Sequence, residues 1–243
     1  MGGETTGLSG GGDFPSTRWT VILRAQGRAG GGAEARAEAL GALIEAYWRP
    51  LYFYLRGTRM KVEEAKDVTQ AFFATLLEKD FLKVVAQEKG RFRHFLLAAI
   101  KHFAANERDK IRTLKRGGGR KIFSLDYEDA ESRFTREPSH EVTPEKLYLR
   151  RWAQELSARA LQELEDECPP KKAKLFALLK PHLAGAKDVA SLSEATGLSP
   201  SNVKVTLHRM RQRYAELLRA AVRDTVETEA DVDDELRELL DAL

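Results

Sequence analysis

From Leu51 to Glu137 the chain runs 87 residues without a proline. Proline ends or kinks a helix and removes a ladder donor from a strand, so this stretch is open to long uninterrupted elements. The spacing of apolar residues decides which kind: intervals of three and four recur along the chain, whereas alternation at two is nearly absent. The expectation is an all-α protein. Glycine divides it, because ten of the 18 glycines fall within the first 32 residues. Residues 1–13 therefore read as a flexible tail and 27–32 as a loop. Gly117-Gly118-Gly119 and the polar, proline-bearing stretch that follows form a linker over 117–144. Two small helical domains are expected, over 14–116 and 145–222, with an acidic extension over 223–243.

Charged residues make up 32% of the chain and apolar residues 42%, enough to build real cores. The single cysteine, Cys168, excludes a disulfide framework and any site of several thiolates, and it fits a reducing compartment. No run approaches the roughly 18 apolar residues that a membrane span needs. The opening MGGETTGLSGGGDF lacks the basic-then-apolar order of a secretion signal, so a cytoplasmic protein without membrane contact is expected. No cofactor and no metal are expected. His94 and His102, eight apart, have no evident third ligand, and Cys168 sits beside Pro169 with no identifiable base. An enzyme such as a nuclease is therefore disfavoured.

The net charge of +3 hides strong local asymmetry. Over 62–77, Val62, Ala65, Val68, Phe72 and Leu76 recur at helical spacing, and Asp67, Gln70 and Ala74 share another face. That face is either solvated or a dock for a partner's backbone and basic groups. From Arg91 to Lys121 there are ten basic residues and two acids. Lys101, Arg108, Arg112 and Lys115 form a stripe that suits the phosphate repeat of a nucleic acid. Phe92, Phe95, Leu96, Ala99, Phe103 and Leu114 supply a core face. Phe92, Phe95 and Phe103, with His94 and His102, could alternatively offer ring faces to unpaired bases.

The sharpest local pattern is DVASLSEATGLSPSNVKVTLHRMRQRYAELL, from Asp188 to Leu218. A short helix begins at Val189, Gly197 permits its terminal turn, and Leu198 plugs the elbow. Ser199 suits an N-cap and Pro200 the first helical position. Val203, Leu207, Met210, Tyr214 and Leu217 then form an apolar stripe. A helix-turn-helix of this kind places its second helix in the major groove. Ser201, Asn202, Lys204, Val205 and His208 are the candidates for base edges, and Arg209, Arg211 and Arg213 for phosphates. A purely structural helical hairpin remains the alternative.

Taken in order, AKDVTQAFFATLLE, GRFRHFLLAAIKHFAANERDKIR and SLSEATGLSPSNVKVTLHRMRQRYAELL resemble bacterial RNA polymerase sigma factors. The likeness is to the extracytoplasmic-function group and covers roughly 45–116 (sigma region 2) and 146–220 (sigma region 4). It implies a transcription initiation factor that binds core RNA polymerase and promoter DNA, reading the −35 element and melting the −10 element. Asp67, Gln70 and Ala74 would dock on the polymerase. Lys101, His102, Asn106, Arg108, Arg112 and Lys115 would hold the −10 strand, and the helix from Pro200 would read −35. The linker would pass through polymerase channels. An anti-sigma factor or a regulatory kinase is a possible further partner. The sequence departs from the family pattern at Lys66, where an acid is usual, at Phe95, where tryptophan is common, at His102 and at Ser193. A stand-alone helix-turn-helix regulator is the alternative, needing neither the Asp67 and Gln70 face nor a single-strand platform.

Residues 223–243 hold nine acids and two basic residues. Val232, Leu236, Leu239, Leu240 and Leu243 give them an amphipathic helical pattern. Such a helix either extends the packing of the second domain or covers a cationic DNA-binding face as a competitor of phosphate. A phosphate on Thr69 would restore the negative charge that Lys66 removes from the docking face.

Overall fold

A computed structural model describes residue positions 25, 27, 32–78, 92–113, 125–136, 142–184, 188–223, 226 and 229–243; at 77–78, 107–113 and 229 it describes the backbone only. The regular elements among the described residues are all helical. In chain order they are α1 (Gly32–Gly57), α2 (Val62–Glu78), α3 (Phe92–Thr113), α4 (Tyr127–Phe134) and α5 (Pro144–Asp166). Short 3-10 turns then flank α6 (Ala173–Leu179), and α7 (Val189–Thr196), α8 (Pro200–Arg223) and α9 (Glu229–Ala242) follow.

Helix α1 is the hub. Its second half, from Leu43 to Leu55, is buried almost all round, as expected of a helix surrounded by others. Pro50 lies inside it and forfeits one backbone hydrogen bond, an interruption that burial on every side tolerates. The chain turns at Arg59, which holds φ at 65°. Helix α5 starts from the N-cap Thr143, whose hydroxyl accepts from Lys146 N at 3.3 Å, with Pro144 in the first turn.

Helix α5 runs along α1. A Cβ on Gly57 would stand 2.8 Å from Leu147 Cδ1 and 3.1 Å from Pro144 Cα, so only glycine allows this approach. Further along, the Tyr47 and Trp152 rings stack at 4.4 Å, and Phe92 of α3 meets Tyr47 edge-on at 5.3 Å. The Tyr148 hydroxyl donates to the Arg93 carbonyl at 2.9 Å. One core thus contains side chains of α1, α2, α3, α5 and α9. The boundary drawn between 144 and 145 cuts through this packed contact.

The segment read as a linker contains α4. Asp126 caps it, accepting from Asp129 N at 3.0 Å, and Ala130 is fully buried. A smaller cluster around Leu179, Leu192, Val203 and Leu207 holds α6, α7 and α8 together. Among the described residues, no helix is long and apolar enough to cross a membrane.

Candidate nucleic-acid interface

The Asp188–Arg223 segment folds as its sequence dictates. Asp188 Oδ1 accepts from Ala190 N at 2.9 Å and Ser191 N at 3.2 Å, opening α7. Gly197 closes it at φ 70°, in the left-handed region. Leu198 packs into the elbow, and Ser199 Oγ accepts from Asn202 N at 3.3 Å to start α8. Val203, Leu207 and Leu217 are buried and Met210 and Tyr214 half-buried, so the apolar stripe faces inward. The opposite side presents Ser201, Asn202, Lys204, Val205, His208 and Arg209 to solvent. Val205 is 45% exposed, an unusual position for a branched apolar side chain on an otherwise polar face.

Two arginines expected on phosphates have other partners. Arg211 is half-buried; its Nε and Nη2 donate to the Leu183 and His182 carbonyls, both at 2.8 Å. It closes the end of the 3-10 turn after α6. Arg213 pairs with Glu167 through Nε at 2.8 Å and Nη2 at 2.6 Å, and with Glu216 through Nη1 at 2.8 Å. Hydrogen bonds to Glu167 and then Glu216 push the Arg213 pKa up, and the bond from Arg213 holds Glu167 below the usual carboxylate range. Sequence spacing shows Glu216, three residues after Arg213 on the same helix, but not Glu167 or the His182 and Leu183 carbonyls, which come from other segments.

On α3, His102 and Asn106 are exposed. Lys101 Nζ lies 2.7 Å from Glu145 Oε1 and 5.6 Å from the centre of the Tyr54 ring. The Lys101 hydrogen bond holds Glu145 below its ordinary pKa. Arg108 and Arg112 fall where only the α3 backbone is described, and Lys115 and Leu114 lie outside the described residues. Phe92 is buried, and Phe95 and Phe103 pack against the core, with Phe103 edge-on to Phe72 at 5.6 Å. These three rings are core, not a display for bases. His94 is exposed, with Glu238 at 3.9 Å.

Arg93 belongs to the core as well. It is 2% exposed, and its Nε and Nη2 meet Glu235 Oε1 and Oε2 at 2.5 and 2.9 Å. Glu238 adds a third oxygen at 2.8 Å. The sequence carried a signal for this. Arg93 stands three and seven residues before Leu96 and Ile100, both buried, and so shares their face.

The acidic helix α9 packs on α5 and α8 as an extension of their core, and the expectation that it covers the DNA-facing side is not met. Val232, Glu235 and Leu239 are buried in the shared core, and the acids pair with Arg93 and, through Asp233 at 2.5 Å, with Arg219. It leaves the Ser201–Arg209 side of α8 open to solvent.

On α2, Asp67 is exposed and Gln70 and Ala74 are half-buried. Tyr127 of α4 lies against this side; its pKa is raised by burial, with the Gln70 side chain and the Asp67 carboxylate both in electrostatic reach. Thr69 corrects an expectation. It is fully buried and its hydroxyl donates to the Ala65 carbonyl at 2.7 Å, so this conformation offers no oxygen to a kinase. Among the described residues, no group of three or more His, Cys, Asp or Glu side chains is arranged to hold a metal ion. No protein-family model, curated protein or solved structure matches the chain.

Proposed function

We propose that this chain is a transcription initiation factor of the extracytoplasmic-function sigma type. It binds core RNA polymerase, directs it to promoter DNA, and has no chemistry of its own. The observation that carries this reading is the α7–Gly197–α8 unit. Its apolar stripe faces inward, and its first three turns present Ser201, Asn202, Lys204, Val205, His208 and Arg209 outward. A helix whose N-terminal polar face is open and whose opposite face is anchored fits a major groove. Lys204 and Arg209 supply phosphate contacts, while Asn202, His208 and Val205 suit base edges and thymine methyl groups. In this reading, Asp67, Gln70 and Ala74 dock on the polymerase, and His102, Asn106 and Lys101 meet the melted strand.

The reading is tested by co-purification of the intact chain with bacterial core polymerase, and by the same measurement on Ala74→Arg. Micromolar or tighter association, weakened at least tenfold by the substitution, supports it. No association at micromolar concentration sinks it.

A second reading, a stand-alone helix-turn-helix regulator, is favoured by one observation. Phe92, Phe95 and Phe103 are packed inward and Lys101 is paired, so the described side chains of α3 display no ready-made platform of aromatic rings for unpaired bases. Sequence-specific duplex binding without polymerase, together with no polymerase association, would select that reading.

A further inference from the structure

Helix α4 docks on α1, with Tyr127 edge-on to Trp48 at 5.2 Å and Glu131 accepting from Arg56 Nη2 at 2.7 Å. Beside this seam, α1, α4 and α5 bring three arginines and two carboxylates together. Arg133 Nε of α4 lies 2.9 Å from both oxygens of Asp129. Asp129 Oδ2 is 4.0 Å from Arg49 Nε of α1, and Arg49 Nη1 is 3.9 Å from Glu155 Oε1 of α5. The same Glu155 oxygen meets Arg151 Nη2 at 2.5 Å. The five charges alternate in sign along these contacts, three positive and two negative, and leave a net +1.

Acceptors are what the cluster lacks. Arg49, at its centre, makes no side-chain hydrogen bond among the described residues, because both neighbouring carboxylates stand beyond bonding range. Its Nε is buried without a partner, and so is that of Arg151, a residue only 6% exposed. Arg151 uses its two terminal nitrogens, on Gln154 at 3.1 Å and on Glu155. Arg133 uses only its Nε among the described residues. Buried polar groups almost always find partners, so several guanidinium N–H groups without one mark a place for an anion. Burial, with the charges of Arg133 and Arg49, holds the Arg151 pKa below its ordinary value against the pull of Glu155. Aromatic rings hold two of the guanidiniums: Arg49 lies over Trp48 at 4.9 Å and Arg151 over Phe53 at 5.1 Å. A guanidinium stacked on a ring keeps its N–H edge for a ligand in its own plane.

We propose that Arg49 and Arg133 form a phosphate-binding site at the junction of α1, α4 and α5, backed by the buried charge of Arg151. Side-chain exposure is 23% at Arg49 and 53% at Arg133, so an anion reaches both from solvent. A carboxylate pairs with one guanidinium fork, whereas a tetrahedral phosphate accepts from two at once, which suits two arginines on different helices. Asp129 and Glu155 hold the arginines in position in the free protein and leave the surplus charge for the ligand. Arg151 is too buried to touch that ligand and acts through its field. The site lies outside the α7–Gly197–α8 unit and is independent of the reading under Proposed function. Two sources carry the chemistry it recognises: a free phosphate ion or small phosphate compound, and the backbone of a nucleic acid.

The test uses the intact chain with Arg49→Gln and Arg133→Gln. Calorimetric titration with inorganic phosphate, at ionic strength held constant with sodium chloride, reads binding of the free ion. A salt series with a duplex of about 20 base pairs reads contact with the backbone. Circular dichroism checks that each variant folds, and Arg133→Gln, on the exposed rim, decides alone if Arg49→Gln does not. The expected result is saturable phosphate binding that each substitution weakens at least about tenfold. That result with an unchanged salt slope, or with no duplex binding, assigns the site to small phosphates. A slope reduced by about one in the variants, whether or not the free ion binds, assigns it to a nucleic-acid backbone. An unaltered slope or absent duplex binding, joined to no phosphate binding at about 10 mM or to binding equal in wild type and variants, overturns the proposal.

Discussion

Arg93 and Glu235, 142 residues apart in sequence, form a buried ion pair with two hydrogen bonds, at 2.5 and 2.9 Å. Neither side chain is more than 3% exposed. The pair joins the first turn of α3 to the middle of α9, and the Tyr148 hydroxyl on the Arg93 carbonyl brings α5 to the same point. Three segments distant in sequence are thus fixed to one another by a single arginine.

Removing Arg93 leaves Glu235 charged and unsolvated in the core, whereas removing Glu235 leaves Arg93 with Glu238 alone. Arg93→Ala should destabilise by about 3–5 kcal/mol and Glu235→Ala by less, and the double replacement Arg93→Met with Glu235→Leu should cost less than Arg93→Ala. Denaturant unfolding followed by circular dichroism measures all three. Arg93→Ala within about 1 kcal/mol of wild type would contradict the burial of this pair.

Gly57 tests the contact of α1 with α5. In Gly57→Ala the new methyl stands 2.8 Å from Leu147 Cδ1 and 3.1 Å from Pro144 Cα, so the buried Leu147 side chain must move and the Pro144 backbone must yield by about a few tenths of an ångström. A loss of about 1–3 kcal/mol is expected by thermal unfolding, the usual cost of overpacking. Gly41→Ala is the control: a Cβ there meets nothing within 4 Å, and helix propensity makes the change neutral or stabilising.

Gly197 is a different case. A Cβ there touches nothing, but φ is 70°. Gly197→Ala should therefore cost about 1–2 kcal/mol through backbone strain alone, and Gly197→Asn less. Equal stability of all three proteins would mean that the turn has another conformation.

Glu131 sets a pH dependence. Burial raises its pKa, but hydrogen bonds from Arg56 and Tyr52 outweigh that and leave it below the ordinary carboxylate value. A depressed pKa contributes stability that is complete above the unfolded value, about 4.3, and lost as pH falls through the folded value. Docking of α4 should be constant from pH 7 to about 5 and weaken below about 4. Amide resonances of 127–134 report it, and Glu131→Gln should remove this step. A transition near neutrality would implicate another group.

The arginines of α8 separate DNA contact from folding. Arg209→Ala should lower the salt dependence of duplex binding by about one counterion without changing stability. Arg211→Ala leaves two backbone carbonyls without their donor and should instead lower stability by about 1–3 kcal/mol. Salt titrations of DNA binding and denaturant unfolding, run on both variants, distinguish the roles.

The helix-turn-helix was legible because local signals agree there: Asp188, Gly197, Ser199 and Pro200 punctuate it, and the stripe from Val203 fixes its inward face. The all-helical class followed equally from apolar spacing. The docking of α4 escaped because its signals are polar and short; Glu131 reads as a solvated acid until Arg56, 75 residues earlier, is placed beside it. The roles of Arg211 and Arg213 were hidden for a related reason. A count of positive charge registers all the arginines alike; helical spacing from Leu96 and Ile100 marks Arg93 as inward, but only tertiary partners reveal that Arg211 caps a turn and that Arg213 is held by Glu167.

The most direct measurement is run-off transcription from a fragmented genomic library of the source organism, with bacterial core polymerase and the intact chain. Discrete transcripts that require both proteins, and that disappear when Asn202 and His208 are replaced by alanine, are the predicted result. Transcripts that do not depend on the added chain, or none at all while the chain alone binds particular duplexes tightly, would contradict it.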